Sequence, residues 1–199
     1  MGKSPPLRLA TAGEYVEWLR VQVHEKSMPA TNVVRVAAAC FALAQEHHHA
    51  IVLLAEHRLY GSAFSLLRVA LEAYIRGERL HACASNEQVE HFIRGEEPPS
   101  LGVLIEQLEQ LPAFNERILS GIKKAHWKAM CAYTHTGGLH TQRWQTSTAV
   151  EPNYSSEEVD EVILFAEIVG SLAAIAIAGL ANDEQSANLI LQRFEQRAQ

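Results

Sequence analysis

Apolar residues recur three and four positions apart along almost the whole chain, and no long stretch alternates apolar with polar residues at every second position. The first spacing places apolar side chains on one face of an α-helix, whereas the second would indicate a half-buried β-strand. The pattern therefore predicts an all-α protein. The expected helices cover about residues 11–24, 31–59, 62–84, 87–94, 100–110, 113–135, 155–181 and 183–197.

Two long helices that follow each other in the chain predict an antiparallel hairpin on which the bundle is built. Thr31 or Asn32 can cap the first of them, which at about 28 residues would be roughly 42 Å long. Gly61 and Ser62 predict a tight turn before the second helix. The fold class that follows is a helical bundle in which this hairpin spans the domain.

The chain of 199 residues is close to the size of one domain, for which roughly 150 residues is typical. We therefore expect a single all-α domain over residues 1–199, in which residues 1–30 form an N-terminal helix and linker. Residues 137–154 show no clear periodicity and predict an irregular loop. A segment of that length is uncommon in a compact domain unless it is functional or mobile, so it is a candidate site loop.

Residues 162–181 form an apolar run of the length that a membrane-spanning helix needs. Acidic residues flank the run on both sides, no Lys or Arg anchors either end, and Glu167 would be costly near the centre of a bilayer. We therefore expect a buried central helix and no membrane partner. The small residues of the run can also bring two copies close together, and the expected oligomer is a homodimer.

The charge balance of the chain limits the kind of partner that it can bind. Seventeen Lys and Arg against 23 Asp and Glu give a net charge of −6, which argues against a chain-wide phosphate-binding surface but leaves room for a local basic groove. Cys40, Cys83 and Cys131 form no Cys-x-x-Cys pair, so neither a disulfide partner nor a zinc site is expected. The prolines at positions 5 and 6 interrupt the stretch that a signal peptide would need, and a reducing cytoplasm is the expected location.

Polar residues on the third predicted helix form one narrow stripe, while every other face of that helix is apolar. The stripe is interpreted in one of two ways. It is either a solvated face with Arg and Glu pairs four residues apart, or the lining of a cleft that contains Arg68 and Glu72. The stripe consists of Ser62, Ser65, Arg68, Glu72, Arg76 and Arg79.

Counting from the hairpin turn, Arg68 and Glu72 lie level with His48 and His49 on the preceding helix. Successive helical residues turn by about 100°, so at most one or two of the histidines there face the core. An Arg, Glu and His group would supply a charge clamp, an orienting carboxylate and a proton carrier. His49 is then a candidate substrate contact. The alternative is that these histidines are exposed or packed in the core.

Two Glu-x-x-His spacings, Glu46 with His49 and Glu78 with His81, match the ligand pattern of di-iron helix bundles. Measured from the hairpin turn, the two pairs are displaced by roughly 10 Å along the helix axes. Two metal ions about 4 Å apart cannot be shared over that distance. We therefore predict no metal site and no cofactor.

The segment YTHTGGLHTQRW, residues 133–144, contains a further candidate site. Gly137 or Gly138 is expected as the left-handed residue that ends a helix, because a helix C-terminus repels the anion that a phosphate cradle would hold. The same helix end favours the protonated form of His135, which suits a proton donor. The alternative is that His135 only caps the helix.

Arg143 and Trp144 in this segment are candidates for binding a planar anion or stacking on a base. Lysines at positions 123, 124 and 128 add positive charge upstream. Trp127, Met130 and Cys131 fall at helical spacing and are expected in the core.

The runs LLRVALEAYIRG, residues 66–77, and CAYTHTGG, residues 131–138, resemble an uncharacterised family of all-helical bacterial proteins. That family has an LLR-x3-E helix and a later Y-T-H-x-G helix end, and it is similar to the HEPN superfamily of helical bundles. Many HEPN members are ribonucleases or nucleotide-modification partners in toxin and phage-defence systems, and they often act as dimers. The resemblance implies an HEPN-like bundle that acts on RNA or nucleotides.

HEPN ribonucleases carry an Arg followed four to six residues later by His, and Arg76 and His81 have this spacing. In that superfamily the motif lies late in the bundle, often with a polar residue after the Arg, where this chain has glycine in its third helix. The resemblance implies that Arg68 or Arg76 holds a phosphate. It also implies that His135 or His81 moves a proton and that Glu72 orients the Arg. The alternative function is a non-catalytic helical homodimeric interaction or scaffold protein.

Overall fold

The structure is a computed structural model that describes residues 6–198. The described residues form nine α-helices and no β-strand, which confirms the predicted all-α fold. The helices are α1 (Ala12–Val23), α2 (Asn32–Glu56), α3 (Tyr60–Ala82), α4 (Asn86–Ile93), α5 (Leu101–Leu108), α6 (Ile118–Thr134), α7 (Gly138–Gln142), α8 (Ser156–Leu180) and α9 (Glu184–Ala198). Short 3₁₀ turns, Leu9–Thr11 and Pro112–Phe114, lie before α1 and α6.

Helices α2 and α3 form the predicted hairpin, and Thr31 caps α2 by accepting a hydrogen bond from the backbone N–H of Val34 at 3.2 Å. The turn between them differs from the expectation. It covers residues 57–59, where Arg58 adopts a left-handed conformation with φ of 59°. The chain reverses its direction at Arg58. Helix α3 begins at Tyr60, before the predicted turn at Gly61 and Ser62.

Gly61, which was expected in the turn, lies buried in the first turn of α3, and its exposed neighbour Ser62 belongs to the same helix. A Cβ atom at Gly61 would lie 2.9 Å from Nε2 of His140, and 3.3 Å from both Nε1 of Trp144 and Oη of Tyr154. The prediction of a turn at Gly61 and Ser62 is therefore wrong. The missing side chain instead gives room for the segment after α6 to pack against α3.

Helix α8 is the central helix of the fold, because it packs against α1, α2, α3 and α9. Ser155 and Glu158 form a capping box at its start, as their spacing predicts. By length and composition the helix is also apolar enough to cross a membrane, and 61% of its most apolar window is buried inside the fold. The apolar run is thus largely enclosed by other helices.

Glu167, fully buried in α8, joins the two ends of the described chain. Its Oε2 accepts a hydrogen bond from Nη1 of Arg8 at 2.7 Å, and its Oε1 accepts from Nη2 of Arg197 at 2.6 Å. One turn later, Ser171 donates to the carbonyl oxygen of Glu167 and lies 2.8 Å from the hydroxyl of Tyr15. Because two guanidinium groups balance the buried carboxylate, the chain before α1 and the end of α9 are both fastened to α8.

Helices α2 and α8 pack closely where the fully buried ring of His48 lies on Gly170. Neither ring nitrogen has a hydrogen-bond partner in the described part of the chain, and burial lowers the pKa of His48 to about 3. The ring is neutral and serves as a packing group. Of the two interpretations of His48, packing in the core is therefore the one that the structure supports, because the ring is directed at α8.

Replacing Gly170 with Ala should lower the free energy of unfolding by about 1–3 kcal/mol, because the new Cβ atom would overlap Nδ1 of His48 and lie 2.8 Å from its Cγ. Gly179→Ala in the same helix is the matched control, since nothing lies within 4 Å of a Cβ atom there. The control should gain about 0.5–1 kcal/mol from helix propensity. Urea unfolding of both variants measures the difference, and a Gly170→Ala variant as stable as the wild type would contradict this packing.

Candidate functional site

Arg68, Glu72 and His135 are in contact at the surface between α3 and α6. Nε of Arg68 donates to Oε1 of Glu72 at 2.7 Å, and its Nη1 donates to Nε2 of His135, also at 2.7 Å. Glu72 is only 8% exposed, the side chain of Arg68 is 24% exposed, and His135 is exposed. The structure thus brings together the three residues that were expected to form the principal site, although 67 positions separate Arg68 from His135.

The end of α6 is fixed on α3 by contacts that involve both backbone and side chains. Oγ of Ser65 lies 2.9 Å from the carbonyl oxygen of Tyr133, and Oγ1 of Thr134 donates to the carbonyl oxygen of Ser65 at 3.1 Å. The ring of Tyr133 packs edge-on against Phe64, with ring centroids 5.0 Å apart. His135 is the C-cap residue directly after these contacts, so its position over α3 is set by the docking of α6.

The residue that ends α6 in the left-handed conformation is Thr136, with φ of 53°, and neither of the two glycines that follow it. Gly137 has φ of −70° and donates its N–H to the carbonyl oxygen of Ala132 at 2.7 Å. A Cβ atom at Gly137 would lie 3.1 Å from Cα of Ala132. The expectation of a left-handed Gly137 or Gly138 is therefore wrong, and Gly137 serves the close approach of two backbone segments.

Trp127 and Cys131 of α6 complete the surroundings of Arg68. The guanidinium carbon of Arg68 lies 4.7 Å from the centroid of the Trp127 ring, and its Nη1 lies 3.7 Å from Sγ of Cys131. Both residues were expected in the core, but they are only partly buried and contact the site. The signal in the sequence was their spacing, since Trp127, Cys131 and His135 recur every four residues on one face of α6.

The site carries an excess of positive charge. The second oxygen of Glu72 accepts a hydrogen bond from Nη2 of Arg76 at 2.6 Å, so two guanidinium groups share one carboxylate. A groove of about 320 Å³ adjoins Trp127 and is lined by Lys123 and Lys124, with one carboxylate from α5. An anion can approach Arg68 from this side with only a small electrostatic opposition.

The contact between Arg68 and His135 defines which nitrogen of the ring can accept a proton. Arginine only donates hydrogen bonds, so Nε2 of His135 accepts one and the proton of the neutral ring lies on Nδ1. A protonated ring, the form expected of a proton donor, would place two hydrogen-bond donors in contact here.

Arg76 and His81 do not converge, although their spacing matches the HEPN ribonuclease motif. Arg76 extends toward Glu72, whereas His81 is exposed near the end of α3. Five helical residues correspond to a rotation of roughly 140° about the axis, which explains why the two side chains lie on different sides. His49 is also exposed, on α2, and the described contacts include none between it and Arg68.

The segment 137–154 is more ordered than the expected irregular loop, because it contains α7 and several hydrogen-bonded turns. Arg143 forms an ion pair with Glu158 of α8, and its carbonyl oxygen accepts a hydrogen bond from the N–H of Asn153 at 2.7 Å. Trp144 is 43% exposed. Arg143 therefore holds the segment on α8 through its ion pair, while the ring of Trp144 is exposed.

The described residues include no group of three or more His, Cys, Asp and Glu side chains that could hold a metal ion. Of the Glu-x-x-His pattern on α3, Glu78 is partly buried while His81 is exposed. Burial raises the pKa of the Glu78 carboxyl to about 7. The two members of the pattern therefore lie in different environments.

The fold and the site together define an all-α bundle with an arginine, glutamate and histidine cluster on its surface. A family model, described as a family of unknown function (DUF6988), matches residues 41–197, and the chain belongs to this family. The matched range contains α3, α8 and all three residues of the cluster, Arg68, Glu72 and His135. No curated protein and no solved structure matches the chain.

Replacing Glu72 with Gln should lower the free energy of unfolding by about 1–3 kcal/mol, because the two guanidinium groups would lose their shared, nearly buried carboxylate. Glu17→Gln is the matched control, since Glu17 pairs with Arg20 on the exposed surface of α1 and should change stability little. Urea unfolding measures both. Equal stability of the two variants would indicate that Glu72 does not hold the arginines.

Proposed function

We propose that the protein binds RNA or a nucleotide at the Arg68 and His135 cluster and acts on a phosphodiester bond there. The observation that carries the proposal is the 2.7 Å contact between Nη1 of Arg68 and Nε2 of His135 at an accessible surface. A guanidinium group matches the geometry of a phosphate, and a neutral imidazole accepts a proton near neutral pH. Both groups needed for such chemistry are thus adjacent before any ligand binds.

The reaction that fits these groups is cleavage of RNA by its own 2′-hydroxyl. The phosphate displaces the ring of His135 from Arg68, and Nε2 of His135 then takes the proton of the 2′-hydroxyl as this oxygen attacks phosphorus. The bond between phosphorus and the 5′-oxygen breaks, and the leaving oxygen takes a proton from water. Arg68 stabilises the negative charge on the phosphoryl oxygens, while Glu72 keeps its guanidinium group oriented.

The surroundings of the cluster favour a nucleic acid as the ligand. Trp127 is partly exposed beside Arg68 and offers a ring on which a base can stack. Lys123 and Lys124 extend the positive charge along the adjoining groove. A local basic strip of this kind is compatible with the acidic chain as a whole.

The similarity of the sequence to HEPN proteins is part of the same proposal. On the basis of this similarity, the proposal includes a role in a toxin or phage-defence system. It also includes a homodimer in the cytoplasm as the active form. The separation of Arg76 from His81 argues for a site different from the usual HEPN motif.

The second candidate is a non-catalytic homodimeric scaffold, in which the polar stripe of α3 is an internal network. One observation favours it. Glu72 is nearly buried, and each of its oxygens already accepts a hydrogen bond from an arginine. A saturated carboxylate of this kind also occurs in purely structural networks.

The test is cleavage of a panel of structured and single-stranded RNAs by purified wild-type protein, with Arg68→Gln and His135→Gln beside it. Each substitution should lower the cleavage rate by about 100-fold or more, because Arg68 stabilises the charge on the reacting phosphate and His135 takes the proton of the 2′-hydroxyl. The upstream product should end in a 2′,3′-cyclic phosphate, and the downstream product should begin with a 5′-hydroxyl. Circular dichroism establishes that each variant is folded.

His24→Gln and Arg20→Gln are the matched controls, because they make the same chemical changes at exposed positions at the end of α1. They should cleave at the wild-type rate. Activity that disappears with Arg76→Gln and His81→Gln, but not with His135→Gln, would move the site to the HEPN motif. Absence of cleavage by the wild type on every RNA would refute the proposal and favour the scaffold.

A further inference from the structure

A second cavity, of about 210 Å³, opens between α3, α4, α5 and the chain that joins α4 to α5. One wall is apolar and includes Leu80, Phe92 and Leu104. The other contains the side chains of Arg76 and Arg79 from α3. The cavity thus combines an apolar surface with two guanidinium groups, as sites for small organic ligands commonly do.

Arg79 is a nearly buried cation, only 5% exposed, whose hydrogen-bond partners are neutral. Its Nε donates to Oε1 of Gln107 at 3.0 Å, and its Nη2 donates to Oε1 of Gln88 at 2.8 Å. Among the described residues, no carboxylate lies within ion-pair distance of this guanidinium group. A buried charge without a counter-charge is costly, so the site is electrostatically incomplete.

Arg76 adds a second positive charge to the cavity that is only partly balanced. Its Nη2 is bound to Glu72, but its Nε is buried and has no hydrogen-bond partner in the described part of the chain. Because Glu72 also pairs with Arg68, this one carboxylate is divided between two guanidinium groups, and none is left for Arg79. An anion in the cavity would supply the missing charge to Arg79 and the missing acceptor to Arg76.

The mouth of the cavity restricts which anions can enter. Three carboxylates line it, Glu87, Glu96 and Glu97, and the first of them is 84% exposed. Glu96 is bound by Arg94 at 2.9 Å and by Nδ1 of His91 at 2.7 Å. These exposed carboxylates repel a long polyanion such as RNA, but a small ligand that lies inside, against the arginines, is far less affected.

We propose that this cavity binds a small organic anion, in which a carboxylate or phosphate monoester contacts Arg79 and Arg76 and an apolar group lies against Leu80, Phe92 and Leu104. The volume is below the range of roughly 300–1,000 Å³ that holds drug-sized ligands, so the apolar group is about the size of one aromatic ring. Gln88 and Gln107 hold Arg79 in place before the ligand arrives, which limits the entropy lost on binding. This site is separate from the cluster at His135 and does not depend on the function proposed there.

The test is isothermal titration calorimetry of the full-length protein with four probes: phenyl phosphate, benzoate, inorganic phosphate and benzyl alcohol. Phenyl phosphate or benzoate should bind with a stoichiometry of one, and whichever binds more tightly identifies the acidic group. Inorganic phosphate and benzyl alcohol should bind at least about tenfold more weakly, because each offers only one of the two contacts. If inorganic phosphate binds as tightly as phenyl phosphate, the apolar wall plays no part and the proposal is wrong.

The decisive variant is Gln88→Glu, which puts a carboxylate beside Nη2 of Arg79 without a change in size. It preserves the capping box at the start of α4, where Gln88 is the third helical residue, so the variant should fold and be at least as stable as the wild type. The internal carboxylate takes the place of the ligand anion. Affinity for phenyl phosphate or benzoate should therefore fall by at least about tenfold.

Gln192→Glu, at an exposed position of α9, is the matched control and should bind like the wild type. Arg79→Gln should also lose affinity, whereas Arg79→Lys should keep part of it because it retains the charge. The proposal is overturned if neither aromatic acid binds the wild type, or if Gln88→Glu binds as the wild type does. Neither result would bear on RNA cleavage, which is measured separately.

Discussion

Both candidate sites depend on the hydrogen bonds that two arginines donate to the buried carboxylate of Glu72. It accepts hydrogen bonds from Arg68 one turn before it and from Arg76 one turn after it, at 2.7 and 2.6 Å. Because the carboxylate is only 8% exposed, these bonds are strong and direct the two guanidinium groups in opposite directions along α3. Arg68 thereby reaches His135 of α6, and Arg76 reaches the cavity beside α4 and α5. The polar face of α3 thus contributes residues to both candidate sites.

The remaining faces of α3 are apolar and pack against α2 and α8, so the polar face has to meet α5 and α6. The packed core therefore lies on one side of α3, and both candidate sites lie on the other. In the core, the contact of His48 with Gly170 brings α2 and α8 close together, and Glu167 fastens both ends of the described chain to α8. This rigid support is what a site assembled from separate helices requires.

The helices and their order could be predicted because periodicity and capping residues act locally. The caps at Thr31 and Ser155 are examples. The cluster of Arg68, Glu72 and His135 joins α3 to α6, and its members were found from the polar stripe of α3 and the family resemblance. The errors arose where the outcome depends on packing between distant segments. Gly61 was assigned to a turn and Gly137 to a left-handed helix end, yet their lack of a side chain serves close approach to other parts of the chain. The direction of the His48 side chain could not be predicted either, because it depends on how α8 packs on α2.

Arg79 is a further residue whose role could not be found from the sequence. It belongs to the polar stripe of α3, but the stripe does not reveal that Arg79 is enclosed by two glutamines from later helices. The partners of a polar residue are decided by which helix covers it, and in this fold α5 and α6 divide the stripe between them. Charge balance within the folded structure is therefore more informative about function than the charge of the whole chain.

The central claim is that a phosphate group takes Arg68 away from Nε2 of His135. The most direct measurement is the nitrogen NMR spectrum of the His135 imidazole, with and without an RNA analogue that lacks the attacking 2′-hydroxyl. In the free protein the ring should carry its proton on Nδ1, and addition of the analogue should shift the Nε2 resonance in the wild type but not in Arg68→Gln. A proton on Nε2 in the free protein, or a spectrum that saturating analogue leaves unchanged, would contradict the account.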